Sequence, residues 1–509
     1  MRIKSSLKNL LVAFLGQLIG ILISFIARIV FIGELGVDYL SLNALFANII
    51  SLLSLVELGI GPAMIFSLYK PLANNNIEDV KSLMKLYQKV YIIIGILIIV
   101  LGTIFTPFIS LFIKTMPDIP SVHLIFSLFV ANTAISYFYS YKRSLIIADQ
   151  KRYIATFYSY SFFAILNIIQ IFILLLTHNF ILFLTCQLIV TFMENIIVSK
   201  TANRLYPYLK DVSVRKLSKE VMNEISRNVR AMVAHRLGGV VVNSTSNIVI
   251  SKFIGLNLVG LYSNYQLIIN ALNTVLGQVF LSITASVGNL GATEKDDKKI
   301  YIFNIVLFMN FWIYGFSAIC LVILFNSFIQ LWIGNEYILN KFTVLLIILN
   351  FYLSGMRMSV LTFKDAFGLY YYDRHKPIFE AIINLAFSLI LVKSFGINGV
   401  LLATTISTLT TCFWVEPFVL YKHGFKSSAI PFFRKYLLYG IVTFVTCIIT
   451  YYIANIFSDS SIVNFILQLV ICITIPNFIF LILFNKTMEF KYINELLKGL
   501  IRNRIKLVS

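Results

Sequence analysis

Three charged side chains, Arg28, Glu57 and Arg357, stand inside long apolar runs of this 509-residue chain. A charge held in hydrocarbon costs about 2.5–3.5 kcal/mol on insertion scales, so such residues default to a cavity or a partner. Arg28 lies toward the outer end of its run, where it either snorkels to the surface or lines a cavity. Glu57 precedes Gly59 and the Gly61-Pro62 step, where a helix bends or ends. Glu57 and Arg357 lie at similar depth in different halves of the chain, which makes them candidates for an inner gate closed by an ion pair. Amides add a polar lining: Asn43, Asn48, Gln170, Asn243, Asn247, Asn264, Gln266, Asn270 and Asn273. Asn243 and Asn247 share one helix face, and Gln266, Asn270 and Asn273 share another. Faces of this kind line a cavity or join helices, at roughly 1 kcal/mol or less per bond. Both readings stay open.

Other chemistry is missing from the pattern. No HExxH or Cys/His spacing calls for a metal, and the five histidines sit at the ends of apolar runs. Cys186, Cys320, Cys412, Cys447 and Cys472 lie inside apolar runs and read as small packed hydrophobes. No GxxxxGK[ST] loop is present, so energy is expected from an H+ or Na+ gradient, a potential or downhill flow rather than from ATP. No cofactor is expected. Asp296 and Asp297 fall in the run EKDDKK and read as a solvated loop.

The elements that must hold these residues are membrane helices. Hydrophobic residues make up 59% of the chain, charged residues 13%, and the mean hydropathy is +0.87. The apolar runs are about twenty residues long, enough to cross a ~30 Å hydrocarbon layer as helix. About fourteen spans are expected: 10–32, 39–64, 88–109, 121–141, 154–177, 179–198, 232–254, 258–288, 302–325, 342–363, 377–396, 398–420, 436–456 and 462–485. The N-terminal run lacks a small-residue cleavage site and reads as the first span rather than a signal peptide. Alternating loops then put 36 of the 42 Lys and Arg residues on one side and four on the other, with Arg28 and Arg357 within spans. That asymmetry places both termini in the cytoplasm. It assigns the formal charge of +20 to an anionic inner leaflet and not to nucleic acid.

The chain divides into an N-terminal lobe (1–198), a basic amphipathic linker (199–231), a C-terminal lobe (232–421), two further helices (422–485) and a basic amphipathic tail (486–509). In the linker, Val214, Leu217, Val221, Ile225 and Val229 recur at helical spacing, so it is expected to lie on the inner membrane surface. The stretch RIVFIGELGVDYLSLN from Arg28 resembles NIVISKFIGLNLVGLYSN from Asn247, pairing Gly36 with Gly255. Six spans per repeat keep the orientation, so the lobes would be parallel repeats that rock about a central cavity.

Three stretches carry a family resemblance: SLLSLVELGIGPAMIFSLYKPLA (51–73), GLYSNYQLIINALNTVLGQVFLSITASVGNL (260–290) and FKDAFGLYYYDRHKPIFEAIINLAFSLILVKSFGINGVLLATTIST (363–408). They resemble Wzx-type oligosaccharide flippases, polysaccharide transporters of the MATE-like multidrug/oligosaccharidyl-lipid/polysaccharide (MOP) superfamily. The resemblance implies an all-α membrane protein with two six-helix lobes and two C-terminal helices. It implies transport of an undecaprenyl-diphosphate-linked repeat unit across the bacterial cytoplasmic membrane for surface polysaccharide synthesis. The implied partners are the lipid-linked oligosaccharide, membrane lipids, a polysaccharide polymerase and glycosyltransferases. Related flippases place arginines in the first lobe, and Arg28 occupies a comparable place. Its repeat counterpart is the uncharged Asn247, so the cationic lining is asymmetric. The alternatives are a MATE-type drug exporter or a peptidoglycan-precursor flippase. An exporter calls for buried acids, of which only Glu57 looks deeply placed. A membrane glycan polymerase, the enzymatic alternative, is disfavoured by short outer loops.

Overall fold

The computed structural model describes residues 2–57, 59–211, 244–457 and 461–508, with Arg215, Leu217, Lys219, Met222, Asn223, Ile225, Ser226 and Val229 between them. The described residues are helical, with no strand among them. Among the described residues, eleven helices are long and apolar enough to cross a membrane, or twelve if the bent pair Val122–Phe138 and Ser140–Ala148 is one span. The difference from the expected fourteen is one of counting. Two helices that meet at a kink within α1 (Arg2–Leu53), in the region of expected spans one and two, count together, and most of span seven lies outside the described residues. The exposed surface of the helices is itself apolar, with Leu176 78%, Phe444 67% and Phe478 63% exposed. Lipid, not water, suits such a surface. This is a polytopic helical membrane protein.

The chain forms two compact units, Met1–Ser263 and Asn264–Ser509. In the first unit, α1 is followed by a 3-10 turn (Ser54–Glu57), α2 (Ile60–Ala73), α3 (Ile77–Phe105), α4 (Val122–Phe138), α5 (Ser140–Ala148), α6 (Arg152–Thr177) and α7 (Phe180–Leu205). The next helix, α8 (Leu256–Thr293), starts in the first unit and continues into the second. The arms of α1 meet at Gly36, with φ +80° and ψ −175°. Helical residues 244–253 and α8 meet at Gly255, with φ +150°. Only glycine takes such backbone readily. The two glycines paired by the sequence repeat thus both have a positive φ where helices meet.

One core of the first unit is formed by Met64, Leu68, Val80, Leu83, Leu145, Ile146 and Ala202. Ile225 belongs to that core, and Leu217 and Val229 pack against it. Ser82 donates a hydrogen bond to the Arg215 carbonyl at 2.7 Å, and Lys81 pairs with Asp211 at 3.3 Å. The apolar stripe of the linker thus finds its partner in the first unit, where a position on the membrane surface was expected. Val214 and Val221 lie outside the described residues.

The second unit continues with α9 (Asp296–Ile333), α10 (Lys341–Met356), α11 (Met358–Ala366), α12 (Lys376–Phe395), α13 (Ile397–Ser407), α14 (Phe413–Val419), α15 (Ile430–Ala454), α16 (Ile462–Phe484) and α17 (Met488–Val508). Its centre is α9, whose Phe303, Phe308 and Phe311 are almost wholly buried. Phe311 stacks on Tyr439 at 4.3 Å and meets Phe480 and Phe484. The last two spans are thereby sealed onto the unit by aromatic packing. Gly399 lets α13 lie against α12: a Cβ there would come within 2.3 Å of the Leu391 carbonyl oxygen.

Candidate functional site

The span containing Arg357, Lys341–Ala366, is interrupted for one residue at Arg357, between α10 and α11, with helical backbone angles kept there. A break strands carbonyls, and in lipid each must be satisfied from within the protein. Asn310 of α9, fully buried, donates its amide to the carbonyls of Met356 at 2.9 Å and Gly355 at 3.2 Å. Gly355 permits the close approach, since a Cβ there would lie 2.0 Å from the ring of Tyr314. The break and its supports aim the Arg357 side chain across the unit.

What it meets is Glu416, with no exposed side-chain surface. Arg357 Nε donates to Glu416 Oε2 at 2.9 Å and Nη2 donates to Oε1 at 2.8 Å. Such bidentate geometry is the strong form of an ion pair. Lys376, from the first turn of α12, also donates to Glu416 Oε1. Glu380, one turn further along α12, completes a tetrad at 3.8 Å from Arg357 and 3.9 Å from Lys376. Glu416 lies on α14 between two π-helical stretches, Thr408–Cys412 and Leu420–Phe425. Wide turns of this type shift which residues share a face and recur at functional sites. A separate buried pair, Lys364 with Asp373, lies in the same unit.

The first unit contains a smaller version of this joint. Arg143 lies on α5, the second segment of a bent span, and Glu194 lies on α7. They pair at 2.6 Å, and Ser159 of α6 both accepts from Arg143 at 3.2 Å and donates to Glu194 at 3.2 Å. In each unit, then, an arginine of a broken span holds a glutamate two spans later, and the intervening span supplies the rest.

The residues singled out by sequence are spread over both units. Arg28 is half-buried on the first arm of α1 and donates to Ser263 Oγ at 3.1 Å, tying α1 to the start of α8. Glu57 ends the 3-10 turn and accepts from the Tyr91 hydroxyl at 3.4 Å, with Tyr91 stacked on Tyr137. Gly61 lies close by: a Cβ there would come within 2.9 Å of the Glu57 carboxylate and displace it. Asn43 is half-buried on the second arm of α1. Asn247 is half-buried, and its side-chain oxygen has no hydrogen-bond partner. On α8, Gln266 is half-buried and Asn270 exposed. Asn243 lies outside the described residues. A gate of Glu57 with Arg357 would have to compete with the bidentate hold of Glu416 on that arginine.

The expectation that Glu57 is the one deeply placed acid is corrected. Glu416 is fully buried, and Glu194 and Glu380 are 19% and 14% exposed at the side chain. The expected span ends at 420, whereas its helical turns run on to Phe425. A glutamate 59 residues after an arginine leaves no periodic signal, but each was a charged residue inside or beside an apolar run. The arrangement offers fixed cations and hydrogen-bond donors, the equipment for holding an anion.

Comparison with known proteins gives the fold a context. The chain superposes on the lipid II flippase MurJ in its inward closed conformation with a TM-score of 0.68 and 13% identity, over 93% of this chain and 99% of that one. An inward-facing multidrug resistance MATE family transporter of the MOP superfamily gives 0.60 and 14%, over 80% and 98%. A point mutant of the Vibrio cholerae MATE transporter VcmN gives 0.57 and 12%, over 84% and 99%. No family model and no curated sequence matches the chain. At these identities the likeness establishes the fold: this chain has the architecture of MOP-superfamily transporters.

Proposed function

We propose that this chain, built on the MOP transporter fold, is a flippase for an undecaprenyl-diphosphate-linked oligosaccharide repeat unit. It moves the unit from the inner to the outer leaflet of the bacterial cytoplasmic membrane, by alternating access and for surface polysaccharide synthesis. The observation that carries this reading is the match to the lipid II flippase over nearly the full length of both chains. The MATE structures match over less of this chain, 84% and 80%. The charge pattern of the loops supports cytoplasmic termini. Fixed cations inside an apolar chain suit a diphosphate head, while the polyprenyl tail stays in the bilayer. Transport is driven by an H+ or Na+ gradient or by downhill cargo flow, and a polymerase removes the glycan on the outer side.

The test is a deletion strain and its complementation. Loss of surface polysaccharide with accumulation of the lipid-linked unit on the inner leaflet supports the reading. Intact polysaccharide with loss of fluorescent-cation efflux would replace it with drug export. Arrest of cell-wall synthesis with accumulated lipid II would replace it with a peptidoglycan-precursor flippase.

A further inference from the structure

The tetrad in the second unit contains more charge than its joint requires. Arg357 and Glu416 alone would close it, as Arg143 and Glu194 do in the first unit with only a serine hydroxyl added. Lys376 and Glu380 are surplus to that job. Their placement is uneven. Glu416 is saturated by Arg357 and Lys376 and forms the floor, with no exposed side-chain surface. Exposure then rises from Lys376 at 8% through Glu380 at 14% to Arg357 at 21%. Glu380 is loosely held, because 3.8 and 3.9 Å are ion-pair distances and too long for hydrogen bonds. Arg357 Nη1 makes no hydrogen bond, and Lys376 Nζ spends one of its three donors on Glu416. Two cationic donors therefore converge on a carboxylate that neither grips.

We propose that Arg357 Nη1 and Lys376 Nζ form a seat for a phosphate of the cargo, and that Glu380 is a displaceable stand-in for it. The identification of the cargo as a lipid diphosphate rests on the flippase reading above. With Glu416 as a fixed counter-charge, the two cations carry one net positive charge once Glu380 turns away. A phosphate oxygen then takes the hydrogen bonds that Glu380 leaves unmade, and shorter N–H···O⁻ contacts replace a long ion pair. Glu380 keeps the seat neutral when it is empty, so that an unpaired buried charge never has to persist. Glu416 is a positioning residue: it fixes the angle of the guanidinium.

The test uses the full chain in nanodiscs of zwitterionic lipid, titrated with farnesyl diphosphate, inorganic pyrophosphate and farnesol. Glu380→Gln removes the competing carboxylate and is expected to tighten diphosphate binding about tenfold, a gain of about 1.4 kcal/mol. Glu380→Asp, which keeps the charge, is expected to stay near wild type. Lys376→Gln weakens binding at least tenfold, and Lys376→Arg restores much of it. Farnesol binding is unchanged throughout. An effect confined to farnesyl diphosphate identifies a lipid-borne phosphate, and an equal effect on pyrophosphate identifies a seat for free phosphate as well; either supports the seat. Glu380→Gln binding no tighter than wild type overturns it, and circular dichroism and the melting midpoint show whether that variant is folded. If wild-type protein flips a lipid diphosphate yet Glu380→Gln changes no affinity, the seat falls and the flippase reading stands. If Glu380→Gln tightens pyrophosphate while no lipid diphosphate is moved, the seat stands and the flippase reading falls.

Discussion

The two Arg–Glu joints invite comparison because the same arrangement serves two different ends. In the first unit Arg143 and Glu194 are completed by a neutral hydroxyl, and their side chains are 31% and 19% exposed. In the second unit Arg357 and Glu416 are 21% and 0% exposed, and a second cation and a second carboxylate are packed against them. A joint that only holds a broken span in place needs one pair and a satisfied remainder. Burying two extra charges costs desolvation that structure alone does not repay. The difference teaches that the first joint is structural, while the second contains a feature meant to be used.

The comparison can be broken most forcefully at Glu416. Glu416→Gln leaves Arg357 and Lys376 facing each other without their shared anion, and a loss of about 3–5 kcal/mol is expected. Thermal melting in detergent micelles checks it; a midpoint within a degree or two of wild type would mean the tetrad is not stabilised as described. Glu194→Gln is expected to cost less, roughly 1–2 kcal/mol, because its pair is more exposed and is screened accordingly. Equal losses at the two sites would erase the distinction between the joints.

Gly355→Ala sharpens the comparison from the backbone side. The added methyl collides with Tyr314 beside the broken turn, at a cost of about 1–3 kcal/mol. A second substitution, Tyr314→Ala, should recover part of that loss, as a double-mutant cycle would show. Asn310→Leu removes the cap on the Gly355 and Met356 carbonyls and should cost about 1–3 kcal/mol. Its readout is faster amide hydrogen exchange confined to residues around the break. The smallest stability effect is expected at Glu380, where Glu380→Gln changes the melting free energy by less than about 1 kcal/mol. A large destabilisation there would make Glu380 a structural member of the tetrad.

Much of the architecture was legible because membranes impose simple rules. Span length located the helices, and both glycines of the Gly36/Gly255 pairing have a positive φ. The expected spans one and two correspond to the region of the two helices that meet at Gly36 within α1. Arg357 was recognisable as a buried charge, but its partner was not. Glu416 lies just inside the expected span end at 420, and the π-helical turns that carry the helix on leave no compositional mark. Lys376 falls just before the expected span 377–396, yet α12 begins at Lys376 and sets it one turn from Glu380. Arg143 falls just beyond the expected span 121–141, although α5 carries it against Glu194. Pairings across 59 and 51 residues are tertiary facts that no local pattern announces.

The central claim, transport of a lipid-linked glycan diphosphate, is tested most directly in proteoliposomes loaded with a fluorescent undecaprenyl-diphosphate oligosaccharide. Dithionite added outside quenches only the outer-leaflet label. Protein-containing vesicles are expected to lose the protected inner-leaflet fraction, whereas protein-free vesicles keep it. A protected fraction that stays the same with and without protein, under both H+ and Na+ gradients, would contradict it.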